Sequence, residues 1–128
     1  MRALVVDDHR LTRLFLREIL SEDCGIGEVE EAADGEEALE LIRASAFDIV
    51  ILDIDMPRRD GLSVLAEAAP LRPGTAFLML SGMPEKEYAQ RALRLGAAFY
   101  LTKGCAPAAI AVAVRDALAA KASGTAKA

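Results

Sequence analysis

The chain lacks the features that would place it in a membrane, outside the cell or on a nucleic acid. No apolar run approaches the roughly 20 residues needed to span a bilayer. The opening stretch, Met1 to Asp8, meets carboxylates at once and offers no small-residue cleavage site, so no secretion signal is read there and a cytoplasmic location is expected. Only two cysteines occur, Cys24 and Cys105. They are too far apart for a zinc-ligand spacing or a disulfide framework and read as free thiols packed as small hydrophobes. Basic charge is also scarce: the net charge is −5, and the single adjacent basic pair, Arg58-Arg59, runs into Asp60. That pair reads as a solvated loop rather than a nucleic-acid surface. No internal repeat is visible.

What is present suits one globular unit. The 128 residues fit a single domain, and a hydrophobic content of 53% can fill its core. Apolar runs at 3–6, 28–32, 48–52, 76–80 and 98–101 alternate with stretches of helical periodicity, the pattern of an α/β domain with a buried parallel sheet. The run at 28–32 is the most polar and is expected at a sheet edge. Leu11, Leu14, Phe15 and Ile19 share one face of a first helix. Ala38, Leu41 and Ile42 share a face of a second, with Asp34 as its N-cap and Glu36 and Glu37 in its first turn. Leu62, Leu65, Ala66 and Ala69 make a third stripe ending near Pro70. Tyr88, Ala92 and Leu95 make a fourth, closed by Gly96, and Ile110, Val114 and Leu118 a fifth, starting close to Pro107. The folded domain is expected over 1–121, with 122–128 as a tail or the start of a linker.

Strict alternation of strand and helix predicts a right-handed doubly wound sheet, with chemistry at the carboxyl ends of the strands. The first strand ends in Asp7-Asp8, the third in Asp53 with Asp55 beyond it, the fourth in Ser81 and the fifth in Lys103. Singly, each is ordinary: Asp at a strand end caps the next helix, Ser81 before Gly82 makes a turn, and Lys103 is a solvated charge. Together, at four strand ends, they make a site. Carboxylates gathered from two neighbouring strands repel one another and need either a cation or raised pKa values, and hard oxygen donors in a shallow, wet site suit Mg²⁺.

This set of residues resembles the receiver domain of two-component response regulators over nearly the whole chain, to about Leu118. The stretch Leu52-Asp53-Ile54-Asp55-Met56-Pro57, the following Asp60-Gly61, and Gly96-Ala97 ahead of Tyr100-Leu101-Thr102-Lys103 carry the resemblance further. It implies a flavodoxin-like, five-stranded parallel sheet in the order 2-1-3-4-5 with five helices. It also implies that Asp53 accepts a phosphoryl group from a sensor histidine kinase. Asp8 and Asp53 would ligate Mg²⁺ directly, with Mn²⁺ as a substitute, the backbone carbonyl of Asp55 would be a third ligand, and Asp7 would act through water. Lys103 and Ser81 would contact the phosphoryl group, Gly82 would leave room for it, and Ser81 with Tyr100 would switch the surface of strand 4, helix 4 and strand 5. Asp55 and Met83 occupy positions that tune the phosphoryl lifetime in the family.

Asp-Asp-His at 7–9, and a Lys103 followed by Gly104 rather than Pro, look most like receivers that precede a LuxR-type helix-turn-helix output. Control of transcription is therefore expected, although no DNA-binding segment lies within these residues. A cis peptide costs about 2.5–4 kcal/mol ahead of a residue other than proline, which leaves open whether Lys103-Gly104 adopts one. His9, at the start of a helix, is read as structural or as supporting the acidic pair. The first helix offers Arg10, Thr12, Arg13 and Arg17 to a kinase, and homodimerisation is open through helices one and five or the strand 4/strand 5 surface. Two rival readings are a receiver-like interaction module that works without phosphorylation and a haloacid-dehalogenase-like phosphatase using Asp53-Ile54-Asp55. The phosphatase order places the nucleophile motif first, whereas here Asp7-Asp8 precedes it.

Overall fold

The computed structural model describes residues 1–82 and 86–123. Five strands, β1 (Arg2–Val6), β2 (Glu28–Ala32), β3 (Ile49–Leu52), β4 (Ala76–Ser81) and β5 (Phe99–Thr102), pair in parallel in the order β2-β1-β3-β4-β5. The helices between them are α1 (Arg10–Glu18), α2 (Gly35–Ala44), α3 (Gly61–Leu71), α4 (Lys86–Arg94) and α5 (Pro107–Ser123). A wider π-helical turn, Ile19–Asp23, continues α1.

Strand side chains alternate between two cores. Ala3, Val5, Ile49, Ile51 and Leu78 join the layer of α1 and α5, whereas Leu4, Val6, Val50, Leu52 and Phe77 join the layer of α2, α3 and α4. Burial on both faces is why β3 reads as the unbroken run Ile-Val-Ile-Leu rather than alternating with polar residues. β2, Glu-Val-Glu-Glu-Ala, lies at one edge as its polarity requires. Asp48 and Ala98, expected to open β3 and β5, stand just outside them.

Helix ends follow local chemistry. The Asp34 carboxylate accepts the Glu37 N–H at 2.9 Å, and the Glu37 carboxylate accepts the Ala33 N–H at 2.8 Å. Past α4, Gly96 adopts φ +114°. Its N–H donates to the Leu93 carbonyl and that of Ala97 to the Ala92 carbonyl, satisfying the last carbonyls of the helix. α3 carries Pro70 within it and ends at Leu71. α5 starts with Pro107 and continues through Ser123, beyond the expected boundary at 121, while 124–128 lie outside the described residues.

Two helix faces differ from expectation. In α1 the buried side chain is Leu16, followed by Ile19 and Leu20 in the π-helical turn, whereas Leu11, Leu14 and Phe15 are exposed, Leu11 at 80%. The segment carries two apolar stripes, and the turn leaving β1 selects which one meets the sheet. In α3, Val64 and Ala68 are buried and Ala66 is exposed. Both cysteines are free and pack partly buried against the α1/α5 core. The described peptide bonds are all trans, Lys103–Gly104 included.

Candidate phosphoacceptor site

The site lies where the strand order reverses, between the carboxyl ends of β1 and β3. Each acidic strand end is held by one further rung of the ladder. The Asp7 N–H donates to Ala32, the Asp53 N–H to Val6 and the Lys103 N–H to Ser81, with N···O distances of 3.1, 3.0 and 2.8 Å. The side chains therefore leave the sheet at its last rung, and apolar strands converge polar groups on one spot.

Asp7 and Asp53 are almost wholly buried, at 1% and 3% exposure. The Lys103 ammonium bridges them, 2.9 Å from Asp7 Oδ2 and 3.2 Å from Asp53 Oδ2. Their circumstances differ beyond that shared lysine. Asp7 Oδ1 accepts the backbone N–H of His9 at 2.8 Å, closing a tight turn from β1 into α1. Neither oxygen of Asp53 accepts a hydrogen bond of good geometry; the contact with Lys103 is an ion pair only. Asp8 is more open, with His9 Nδ1 3.2 Å from its Oδ1 and equally far from Asp7 Oδ1.

These charges act on one another. Burial, reinforced by the charge of Asp7, raises the Asp53 carboxyl above its ordinary pKa, and Lys103 offsets only part of this. Burial pulls the Lys103 ammonium down, but Asp7 and Asp53 more than reverse it, so Lys103 stays protonated. Three carboxylates against one ammonium leave two negative charges uncompensated. Donor atoms of Asp7, Asp8, His9 and Asp53 all lie within 4.8 Å of one another, close enough to share one cation. A pocket of about 270 Å³, lined by His9, Asp53, Asp55, Gly82 and Lys103, opens onto them. Among the described residues, a side-chain carbon on Gly82 would meet nothing within 4 Å.

Ser81, fully buried, ends β4 beside Lys103, and Tyr100 lies half-buried in β5, packed against the α2/α3/α4 core. Asp55 is exposed on the loop after β3. Met83 lies outside the described residues.

Several supporting residues have no conspicuous sequence signal. At Gly61 a Cβ would stand 2.1 Å from the Asp53 carbonyl oxygen, and the Gly61 N–H donates to Ile54, so the loop after Asp53 folds directly onto this glycine. Arg58 in that loop holds φ +70°, an uncommon conformation for a branched-free but bulky side chain. Arg59 is not simply solvated: its guanidinium donates to Ser63 and Glu67. Arg13, expected on the exposed kinase face, is turned inward and bonds Glu31 and the Asp7 carbonyl, and Arg17 pairs with the same Glu31. Among the described residues that leaves exposed Arg10 as the basic residue on α1 without such engagement in the acidic network.

Fold and site together define a doubly wound α/β domain with a lysine-bridged acidic cluster at its switch point. Residues 3–115 match the response regulator receiver domain family, and the chain belongs to it. It is 37% identical over 116 residues to the response regulator UvrY of Escherichia coli O6:H1, covering 91% of this chain and 53% of that protein. The chain thus spans about half the length of that curated relative. A LuxR-family two-component response regulator from Aurantimonas sp. SI85-9A1 superposes with a TM-score of 0.85 at 30% identity, over 92% of this chain and 84% of the other. A CheX-CheY-BeF3-Mg+2 complex from Borrelia burgdorferi gives 0.85 at 29% identity, over 91% and 87%. The expected strand order, family and LuxR-type likeness therefore hold, and the phosphatase reading gives way to them. Among the described residues no helix is long and apolar enough to cross a membrane.

Proposed function

We propose that the chain receives a phosphoryl group on Asp53 from a sensor histidine kinase and passes the signal to an output that regulates transcription, in the cytoplasm. The observation that carries this reading is the state of Asp53. Its carboxylate is buried at the base of a pocket, 3.2 Å from the Lys103 ammonium, and among the described residues neither oxygen accepts a well-formed hydrogen bond. A structural carboxylate at that depth would be paired and hydrogen-bonded.

In the transfer, an Asp53 oxygen attacks phosphorus as the bond from phosphorus to the donor's leaving group breaks, and the electron pair departs with that group. Lys103, held by Asp7, is poised to stabilise charge on the phosphoryl oxygens. Ser81 would donate its hydroxyl to one of them, and Tyr100, one strand away, would respond as the switch. The donor set fits Mg²⁺: Asp8 and Asp53 as direct ligands, the Asp55 carbonyl as a third, and Asp7, already engaged by His9 and Lys103, through water. A bound Mg²⁺ would neutralise the clustered carboxylates and the incoming phosphoryl charge. Mn²⁺ fits the same donors. The BeF3 and Mg+2 named with the Borrelia CheY neighbour support this reading.

Incubation with Mg²⁺ and acetyl phosphate, followed by intact mass, tests it. A single phosphate-sized gain is expected, absent from Asp53→Asn and absent in EDTA. No gain in the parent protein, under conditions that label a known receiver, would leave the phosphorylation-independent module as the better reading.

A further inference from the structure

We propose that Arg13 is a positioning residue for the metal site, fixing the Asp7-Asp8 turn through the Asp7 carbonyl while Glu31 holds its guanidinium in place. The inference rests on the Mg²⁺-dependent reading above and concerns a residue that touches neither metal nor phosphoryl group.

Arg13 stands in the first turn of α1, its N–H bonded to the His9 carbonyl at 3.1 Å. Its guanidinium reaches back to the strand end that precedes the helix. One terminal nitrogen donates to the Asp7 carbonyl at 2.8 Å, and Nε donates to Glu31 Oε1 at 2.8 Å. The side chain is only 15% exposed, unlike the helix face around Leu11. Glu31 lies in β2, next to Ala32, whose carbonyl accepts the Asp7 N–H. Asp7 is therefore gripped from both sides of its backbone, by β2 at its N–H and by Arg13 at its C=O.

The consequence for Asp8 follows from peptide planarity. The Asp7 carbonyl shares a rigid plane with the Cα of Asp8, so a donor fixed on that oxygen restrains the position from which the Asp8 side chain departs. Asp8 itself is exposed, and the 67%-exposed His9 ring lies 3.2 Å from its Oδ1. Nothing else described holds its direction as firmly. A flat fork with several donors can meet a carboxylate and a carbonyl at once; an ammonium cannot reproduce that geometry. Glu31 is kept ionised, since Arg13 and Arg17 outweigh the effect of its burial. Groups that orient a ligand in this indirect way typically contribute about 10–100-fold to metal affinity.

The test is Mg²⁺ titration by calorimetry, without phosphodonor, on the full chain. Arg13→Met should weaken Mg²⁺ binding about 10–100-fold, and Arg13→Lys should recover only part of the loss. Glu31→Gln, which leaves Arg13 present but less firmly held, should weaken binding by a smaller factor. Arg43→Met, which breaks the remote pair with Glu67 between α2 and α3, should leave the affinity unchanged. Thermal unfolding in EDTA reports any general loss of stability separately. Binding within twofold of the parent for folded Arg13→Met overturns the inference; should that variant not fold, unchanged binding in both Arg13→Lys and Glu31→Gln overturns it. A parent chain that does not bind Mg²⁺ overturns the proposed function itself, a distinguishable result.

Discussion

Asp53→Asn should make the metal-free protein more stable. Asp53 is 3% exposed, among the described residues neither carboxylate oxygen accepts a well-formed hydrogen bond, and burial together with the charge of Asp7 outweighs the help of Lys103 and the Asp55 backbone. A buried polar group left without partners costs about 1–3 kcal/mol, more when charged. Lys103 offsets part of that cost, but it is shared with Asp7. Asparagine keeps the shape and removes the charge, so a gain of about 1–3 kcal/mol is expected at pH 7.5 in EDTA. For a domain of this size that is roughly 3–6 °C in Tm for each kcal/mol. The sign of the pH dependence follows from the raised carboxyl. Between its ordinary value of 3.8 and its higher folded value, the native state holds more protons than the unfolded chain, so stability falls as pH rises through that window. The advantage of the asparagine variant should therefore shrink as pH falls toward 4, and Mg²⁺ should stabilise the parent more than the variant. Thermal unfolding by circular dichroism across pH, with and without Mg²⁺, measures all three. An asparagine variant equal to or below the parent at pH 7.5 in EDTA would refute the reasoning.

Gly61→Ala should cost about 3 kcal/mol, the upper end of the usual overpacking range, and impair phosphorylation as well, because its Cβ would fall 2.1 Å from the Asp53 carbonyl oxygen, where backbone must give way; denaturant unfolding and acetyl phosphate labelling check both effects. Glu31 has the opposite sign to Asp53. Its carboxyl is held below its ordinary value by Arg13 and Arg17 despite burial, so it contributes stability above the unfolded pKa that is lost as pH falls through the folded one. Glu31→Gln should accordingly lower stability at neutral pH by about 1 kcal/mol or less, the usual range for partly exposed pairs, with the difference closing in acid. Urea unfolding at pH 7 and pH 3.5 measures it.

The sheet was legible because both of its faces are buried. A central parallel strand with no solvent face must be apolar throughout, so Ile49 to Leu52 stands out, as does the carboxylate that ends it. The caps at Asp34 and Gly96 were legible because one residue's chemistry sets each. The face of α1 was not. Leu11, Leu14 and Phe15 make as good a stripe as Leu16, Ile19 and Leu20, and only the inward reach of Arg13 from the Asp7 turn distinguishes them. Periodicity measures amphipathicity within a segment and carries no information about the rotation imposed by the preceding turn. Arg13 was hidden because an arginine on an exposed helix has an ordinary local reading, and although Asp60-Gly61 stood out as a motif, the contact that requires Gly61 did not. Their roles arise from long-range approach of backbone to guanidinium or to Cα.

The four strand ends are not equally satisfied, and the inequality points to how the site works. Asp7 has His9, Lys103 and, at its backbone, Arg13 and Ala32, so it has little need of further partners. Asp53 sits at the same depth without a hydrogen bond to either oxygen. A fold that can hold one buried carboxylate so completely has left the other wanting at a cost in stability, which is the expected mark of a group reserved for chemistry. On the proposed function, a cation or a phosphoryl group engaging Asp53 would relieve that cost. Asp7 and Lys103, held by several partners, would then supply a fixed frame for whatever engages Asp53. The same free energy that makes Asp53→Asn stabilising is then available to favour ligand binding in the native chain. Stability gained by the substitution and stability gained from Mg²⁺ should therefore fail to add, a double comparison within the measurements already described.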